Sequence, residues 1–248
     1  MTEPPLTMTK AIILSAGQGR RLLPLTENKP KCMLTVAGRT VLEWQLDALV
    51  NVGINEITIV TGFHSEDVEK LLNSNYAQHP GIKVLYNPFF NVSDNLTSCW
   101  LARTSMDTDF LLINGDTIFE VAVLEHVLAS PPAPIILTTD QKPSYDEDDM
   151  KVELDGQQVK QVSKILSKEQ TDAESIGMLF FRGNGPSIFR TSLEDAMKTT
   201  DGLKSWFLSV VDRLAKEEMV QCCSITGLKW AEIDFLADLE FAEKLLAE

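Results

Sequence analysis

The most constraining stretch of this chain is a short apolar run that opens into glycines and cations. Ala11, Ile12, Ile13 and Leu14 suit a strand buried on both faces of a parallel sheet. The chain continues Ser15-Ala16-Gly17-Gln18-Gly19-Arg20-Arg21-Leu22, then Pro24-Leu25-Thr26 and Lys29-Pro30-Lys31. Glycines let a backbone approach an anion with its N–H groups aimed at it, and Arg21 and Lys31 can supply charge to the same anion. A Gly-x-Gly pair alone is more often a tight turn with surface cations. Two other phosphate loops are excluded directly, because a P-loop needs Gly-Lys-Ser/Thr after the second glycine and a dinucleotide fingerprint needs a third glycine where Leu22 stands.

Charge narrows the partners. With 36 Asp+Glu against 22 Lys+Arg, the formal charge of -14 repels nucleic-acid backbones and anionic membranes. A small anionic substrate would need local cations or a metal, which makes the basic residues near the N-terminus informative. Apolar residues at 44% suffice for a substantial core in 248 residues without staples. Cys32, Cys99, Cys222 and Cys223 have no metal-ligand spacing and are expected as reduced thiols. Met1 to Thr9 lacks a leader pattern and no run approaches the roughly 20 apolar residues of a membrane span, so a cytoplasmic chain is expected.

Strand and helix signals then alternate. A helix begins at Thr40 and stops at Gly53, Ile57 to Val60 is a second buried strand, and Ser65 can cap a helix carrying Val68, Leu71 and Leu72. Ile82 to Tyr86, Phe110 to Ile113 and Ile135 to Thr138 supply further strands, with a helical stretch around Val123 to Leu128. This rhythm predicts an α/β fold, a Rossmann-like open, mostly parallel sheet with helices on both faces. Lys151 to Leu166, turning at Asp155-Gly156, is a small antiparallel insertion. Ile176 to Phe181 resumes strand character, helices follow in Pro186 to Lys198 and Lys204 to Glu217, and Phe235 to Leu246 closes the chain. The acidic run Asp146 to Asp149 is expected as a solvated loop. His64, His79 and His126 are scattered and suggest neither a metal cluster nor a general base.

One carboxylate is placed by position. Asn114-Gly115-Asp116 follows a buried strand, and in an open parallel sheet ligands gather beyond the carboxyl ends of strands, so Asp116 can hold a cation. Glu232-Ile233-Asp234 precedes the last helix, where Asp234 can serve as a helix cap.

The block from Leu14 to Lys31 resembles the signature of the sugar-phosphate nucleotidyltransferase superfamily, roughly Leu-x-Ala-Gly-x-Gly-Thr-Arg-Leu followed by Pro-Leu-Thr and Pro-Lys. The resemblance implies a single nucleotidyltransferase domain over 1–248 with an acceptor-binding insertion around 141–175. It assigns nucleotide binding to Leu14, Ser15, Ala16, Gly17 and Gly19. Arg21 would hold the NTP phosphates and Lys31 would bridge donor and acceptor phosphates. Asp116 matches the first metal carboxylate, and Trp230 to Leu245 resembles the closing Trp-x-Glu-Ile-Asp pattern that makes Asp234 the second. Arg20 departs from the usual Thr or Ser, and Ser15 from the usual Ala.

The segment from Asn91 to Ala102 replaces the Glu-Thr-Gly-Gly of many sugar enzymes. It is similar to the Asn-Asn-x-x-Ser-Leu-x-Leu stretch of bacterial phosphocholine, aminoethylphosphonate and inositol-phosphate cytidylyltransferases. Asn95 and Ser98 are the matching positions, suited to a pyrimidine edge or ribose, although Asp94 or Asn95 could equally cap a helix. Glu174 resembles an acidic position that faces the acceptor or ribose. Trp230 offers an aromatic face to a quaternary ammonium or packs in the core.

The implied activity is Mg²⁺-dependent transfer of CMP from CTP to a phosphorylated or phosphonylated acceptor of the phosphocholine or 2-aminoethylphosphonate type. Uridylyl or thymidylyl transfer to a sugar 1-phosphate is the alternative within the fold. A non-catalytic nucleotide-binding regulatory module is the alternative outside it.

Overall fold

The computed structural model describes residues 9–247, so nearly all of the Met1–Thr9 segment lies outside the described residues. β1 (Lys10–Ser15) leads through the glycine loop to a ribbon of β2 (Thr35–Val36) and β3 (Arg39–Thr40). α1 (Val41–Asn51) begins at a reciprocal cap, with Thr40 Oγ1 accepting from the Glu43 N–H at 3.1 Å and Glu43 Oε2 accepting from the Thr40 N–H at 2.8 Å. The alternation continues through β4 (Ile57–Thr61), α2 (Ser65–Asn75), β5 (Ile82–Tyr86), α3 (Asn95–Leu101), β6 (Phe110–Asn114), β7 (Thr117–Phe119) and α4 (Val121–Leu128). Then come β8 (Ile135–Asp140), the hairpin β9 (Lys151–Asp155) and β10 (Gln158–Ser163), and β11 (Ala173–Phe181). The chain ends with α5 (Gly185–Met197), α6 (Phe207–Lys216), β12 (Val220–Ser224), β13 (Trp230–Glu232) and α7 (Leu236–Ala247).

The main sheet runs β5-β4-β1-β6-β11-β8-β12-β10-β9. Its first four strands are parallel, as expected. The open, mostly parallel expectation fails on the other side. β11 lies antiparallel to both β6 and β8, and β9 pairs with β10 and also with the start of β11 through Ala173↔Val152 and Glu174↔Lys151. β11, β8, β12, β10 and β9 therefore close on themselves. The physical reason lies in β11, which changes partner along its length. Its pairing with β8 shifts register between Ser175 and Leu179, around Gly177, whose φ of 74° only glycine adopts freely.

Helices cover both faces. Leu42, Leu46, Val123 and Leu124 pack on one side, while Leu96, Phe189, Phe207 and Leu214 pack on the other around stacked Phe110 and Phe181, whose rings are 4.5 Å apart. One boundary differs from expectation. His64, in left-handed geometry, precedes α2, and Ser65 is the first helical residue, its hydroxyl bonded to Thr61 Oγ1 at 2.8 Å rather than capping the helix backbone. Among the described residues no helix is long and apolar enough to cross a membrane.

Candidate active site

The two carboxylates proposed as metal ligands are brought together by a pair of short strands. β13 pairs antiparallel with β7, setting Glu232 opposite Thr117, and the Ile233 N–H donates to the Asp116 carbonyl at 3.0 Å. Asp116 and Asp234 are thereby neighbours at one end of this ribbon. Gln45 braces the turn that carries Asp116. Fully buried, its Nε2 donates to the Asn114 carbonyl at 2.7 Å and the Thr117 carbonyl at 2.8 Å. Gly115 N–H donates to the Leu14 carbonyl at 3.0 Å, and a Cβ there would lie 2.3 Å from Ser15 Oγ, so only glycine lets the turn sit on β1.

The glycine loop brings the cations to the same place. Gly19 sits at φ 74°, and a Cβ on it would lie 3.0 Å from the Lys31 Cβ, so the lysine stem packs over the glycine. Lys31 Nζ reaches Asp116 Oδ2 at 2.8 Å and Asp234 Oδ1 at 2.6 Å. Burial by itself would lower the Lys31 pKa, but the charges and hydrogen bonds of the two aspartates outweigh it and hold the ammonium above its ordinary value. Arg21 lies 3.4 Å from Asp234 Oδ2, with its guanidinium carbon 5.4 Å from the centre of the Phe235 ring. Asp238, within α7, accepts from the Asp234 and Phe235 N–H groups that precede the helix, and the Asp234 carboxylate makes its contacts with Lys31 and Arg21.

Beside this cluster opens a cleft of about 250 Å³ whose wall includes Leu14, Ser15, Ala16, Gly17, Lys31 and Asp116. A Cβ on Gly17 would meet nothing within 4 Å, so the backbone there faces open space. The opposite wall carries Asn95 and Ser98. Ser98 is buried and accepts from Asn87 Nδ2 at 2.9 Å, which leaves its own hydroxyl proton for a ligand acceptor. Asn95 has a structural duty as well, since its Oδ1 accepts from the Phe207 N–H at 3.0 Å and so caps α6, while Asp94 makes no side-chain cap. Asn87 lines the cleft and was not singled out in the sequence. A lone asparagine after β5 has no pattern to betray it.

Of the residues expected to face the acceptor, Glu174 lies on the closed side of the main sheet and Trp230 on the β13-β7 ribbon. Glu174, buried on β11, sits 2.8 Å from Lys142 Nζ, which also holds Asp149 at 2.7 Å. Burial pushes the Glu174 pKa up to about 7, with Lys142 opposing and Asp149 reinforcing. Trp230 is half-buried and packs against the core, its Nε1 donating to Asp140 Oδ2 at 2.7 Å. Glu232 was passed over although its neighbour Asp234 was chosen.

The acidic run is not simply solvated. Asp148 contacts Arg21 at 3.3 Å and Lys164 at 3.4 Å, and Asp149 is bound by Lys142. The sequence hid the Asp148 contacts because their partners lie elsewhere in the chain, on the glycine loop and on the segment after β10.

A glycine loop beyond β1, two carboxylates at one end of a pair of ribbon strands and a lysine between them fit a nucleotidyl transferase. Residues 10–131 match the Nucleotidyl transferase family. The chain is 39% identical over 132 residues to the CMP-5'-(3-aminopropyl)phosphonate synthase of Streptomyces rubellomurinus, an alignment spanning 52% of this chain and 20% of that protein. It is 26% identical to the CTP:phosphoglutamine cytidylyltransferase of Campylobacter jejuni over 93% of this chain and 97% of that one. The solved structure of CTP:phosphocholine cytidylyltransferase from Streptococcus pneumoniae shares the fold, with a TM-score of 0.80 over 96% of this chain and 99% of that one at 22% identity.

Proposed function

We propose that the chain transfers CMP from CTP to a small phosphorylated or phosphonylated acceptor and releases pyrophosphate. The observation that carries this is the convergence of Lys31, Arg21, Asp116 and Asp234 at the edge of the cleft behind the glycine loop. An acceptor phosphate or phosphonate oxygen attacks the α-phosphorus in line, the bond from that phosphorus to the bridging oxygen breaks, and pyrophosphate leaves with the electron pair. The acceptor is already an anion, so no general base is required. Catalysis then consists of holding two anions together and stabilising the charge that builds between them. Lys31 serves both phosphates and Arg21 the nucleotide tail. Asn95 and Ser98 face the base or ribose, and the 141–175 insertion with Glu174 and Trp230 faces the acceptor. CTP is favoured over UTP by the names of the relatives above and by the Asn95 and Ser98 pattern.

Mg²⁺ fits the donor set. Asp116 Oδ1 is buried with no hydrogen-bond partner, and Asp234 places a second hard oxygen donor beside it. Among the described residues no group of three or more His, Cys, Asp or Glu gathers as a metal site, which suits an ion that takes its remaining ligands from phosphate and water. When bound between Asp116 and Asp234, the ion would neutralise phosphate charge at the reacting centre.

The test is phosphorus NMR of the protein with CTP, Mg²⁺ and 2-aminoethylphosphonate or phosphocholine. New coupled resonances of a CMP–acceptor anhydride, appearing together with pyrophosphate, are expected. Unchanged spectra with both acceptors and with glucose 1-phosphate would defeat the proposal.

A further inference from the structure

Asn87 follows β5 directly and lines the cleft, yet it is buried and the reaction proposed above gives it no part. Its backbone N–H donates to the Thr61 carbonyl at 2.7 Å, which ties it to the end of β4. Its Oδ1 accepts from the Phe89 N–H at 2.8 Å. Only the oxygen of an amide can take that bond, so the side chain has one orientation, with Nδ2 turned toward Ser98 Oγ at 2.9 Å. Ser98 must therefore accept there. Its own proton finds no protein acceptor among the described residues, although the side chain is buried in the cleft wall. Asn95 is in a similar state. Its Oδ1 is taken by the Phe207 N–H at 3.0 Å, which leaves the Nδ2 protons to donate. Asn95 and Ser98 stand three residues apart in α3, so they share a face of the helix, and both line the cleft. α3 thus offers the cleft a pair of donors.

We propose that Asn87 is a positioning residue that, by holding the Ser98 hydroxyl as a donor, makes this helix face select cytosine over uracil. The inference rests on the CTP reading proposed above and names the groups that would enforce it. Cytosine carries two adjacent acceptors, O2 and N3, which a pair of donors can meet together. Uracil keeps O2 but has a proton on N3. Facing that N3–H, Ser98 can use only its remaining lone pair, and its own proton stays buried without an acceptor. An orphaned buried donor of this kind costs roughly tenfold or more in affinity. Specificity then comes from the polarity that Asn87 imposes and not from the size of the base.

Calorimetric titration of the intact protein with CTP and with UTP, without acceptor, gives the ratio of their dissociation constants. The wild type should favour CTP by roughly tenfold or more. Ser98→Ala removes the donor and should bring the ratio close to one. Asn87→Asp reverses the polarity, because a carboxylate oxygen takes the Ser98 proton and leaves hydroxyl lone pairs for the base, so UTP should become the tighter ligand. Asn87→Ala, which adds no charge, should lower the ratio without reversing it. A CTP analogue with carbon in place of N3 should bind the wild type roughly tenfold more weakly than CTP and bind Ser98→Ala about as well as CTP does. The wild-type ratio retained in both Asn87 variants, or undiminished binding of the analogue to the wild type, would overturn the role of Asn87 and leave CTP transfer standing. A wild type that prefers UTP, or binds neither nucleotide, would remove the CTP reading as well.

Discussion

Lys31 and Asp234, 203 residues apart in the chain, meet with 2.6 Å between Nζ and Oδ1. The same ammonium lies 2.8 Å from Asp116, so it ties together the two carboxylates proposed as metal ligands. One lysine therefore compensates both charges of the acidic pair.

Lys31→Ala should reduce kcat by about 10²- to 10³-fold, the usual scale for removing a group that stabilises transition-state charge. CTP affinity should change far less, because the contact strengthens only as charge develops. Stopped-flow or steady-state rates at saturating CTP provide the check. Near-normal turnover would take Lys31 out of the chemistry.

Asp116→Asn and Asp234→Asn should each raise the Mg²⁺ concentration needed for half-maximal activity by at least about tenfold, since each removes a charged oxygen ligand. Identical metal titrations in wild type and both variants would contradict the assignment of these residues.

If Arg21 holds the nucleotide phosphates as proposed, Asp148 would compete with them for it. Its carboxylate lies 3.3 Å from Arg21 and 3.4 Å from Lys164, and both Arg21 and Asp148 are nearly half exposed. Asp148→Asn should lower the KM for CTP by roughly two- to fivefold, in keeping with the ~0.2–1 kcal/mol of an exposed ion pair. A KM that stays level or rises would mean that the contact does not hold Arg21 back.

Glu174 should make stability depend on pH in an unusual direction. Burial raises its pKa from 4.5 to about 7, so between these values the folded chain keeps a proton that the unfolded chain has released. Folding stability from this group is fully present below about pH 4.5 and declines as pH rises toward 7. The melting temperature of Glu174→Gln should lose less than wild type does across that window, measured by thermal denaturation at stepped pH. Parallel profiles would show that Glu174 does not titrate there.

Much of the fold was legible where its signals are local. The apolar run before the glycine loop, the Thr40 to Gly53 helix with its cap and the Asp-Gly turn of the hairpin all appear where the residues imply. Asp116 was legible from its place after a buried strand and Asp234 only through motif resemblance, since the ribbon pairing that joins them links segments more than 100 residues apart. The antiparallel course of β11 was not legible, because a continuous apolar strand states its burial and not its direction. Asp148 and Asn87 were missed for a related reason. Each acquires its meaning from a partner, Arg21 or Ser98, that no spacing in the sequence connects to it.

The most direct measurement is pyrophosphate release with Mg²⁺, crossing CTP, UTP, dTTP, ATP and GTP against phosphocholine, 2-aminoethylphosphonate, inositol 1-phosphate and glucose 1-phosphate. Turnover confined to CTP, with phosphocholine or 2-aminoethylphosphonate as the productive acceptor, is the expected result. Turnover only with UTP or dTTP and glucose 1-phosphate would contradict it.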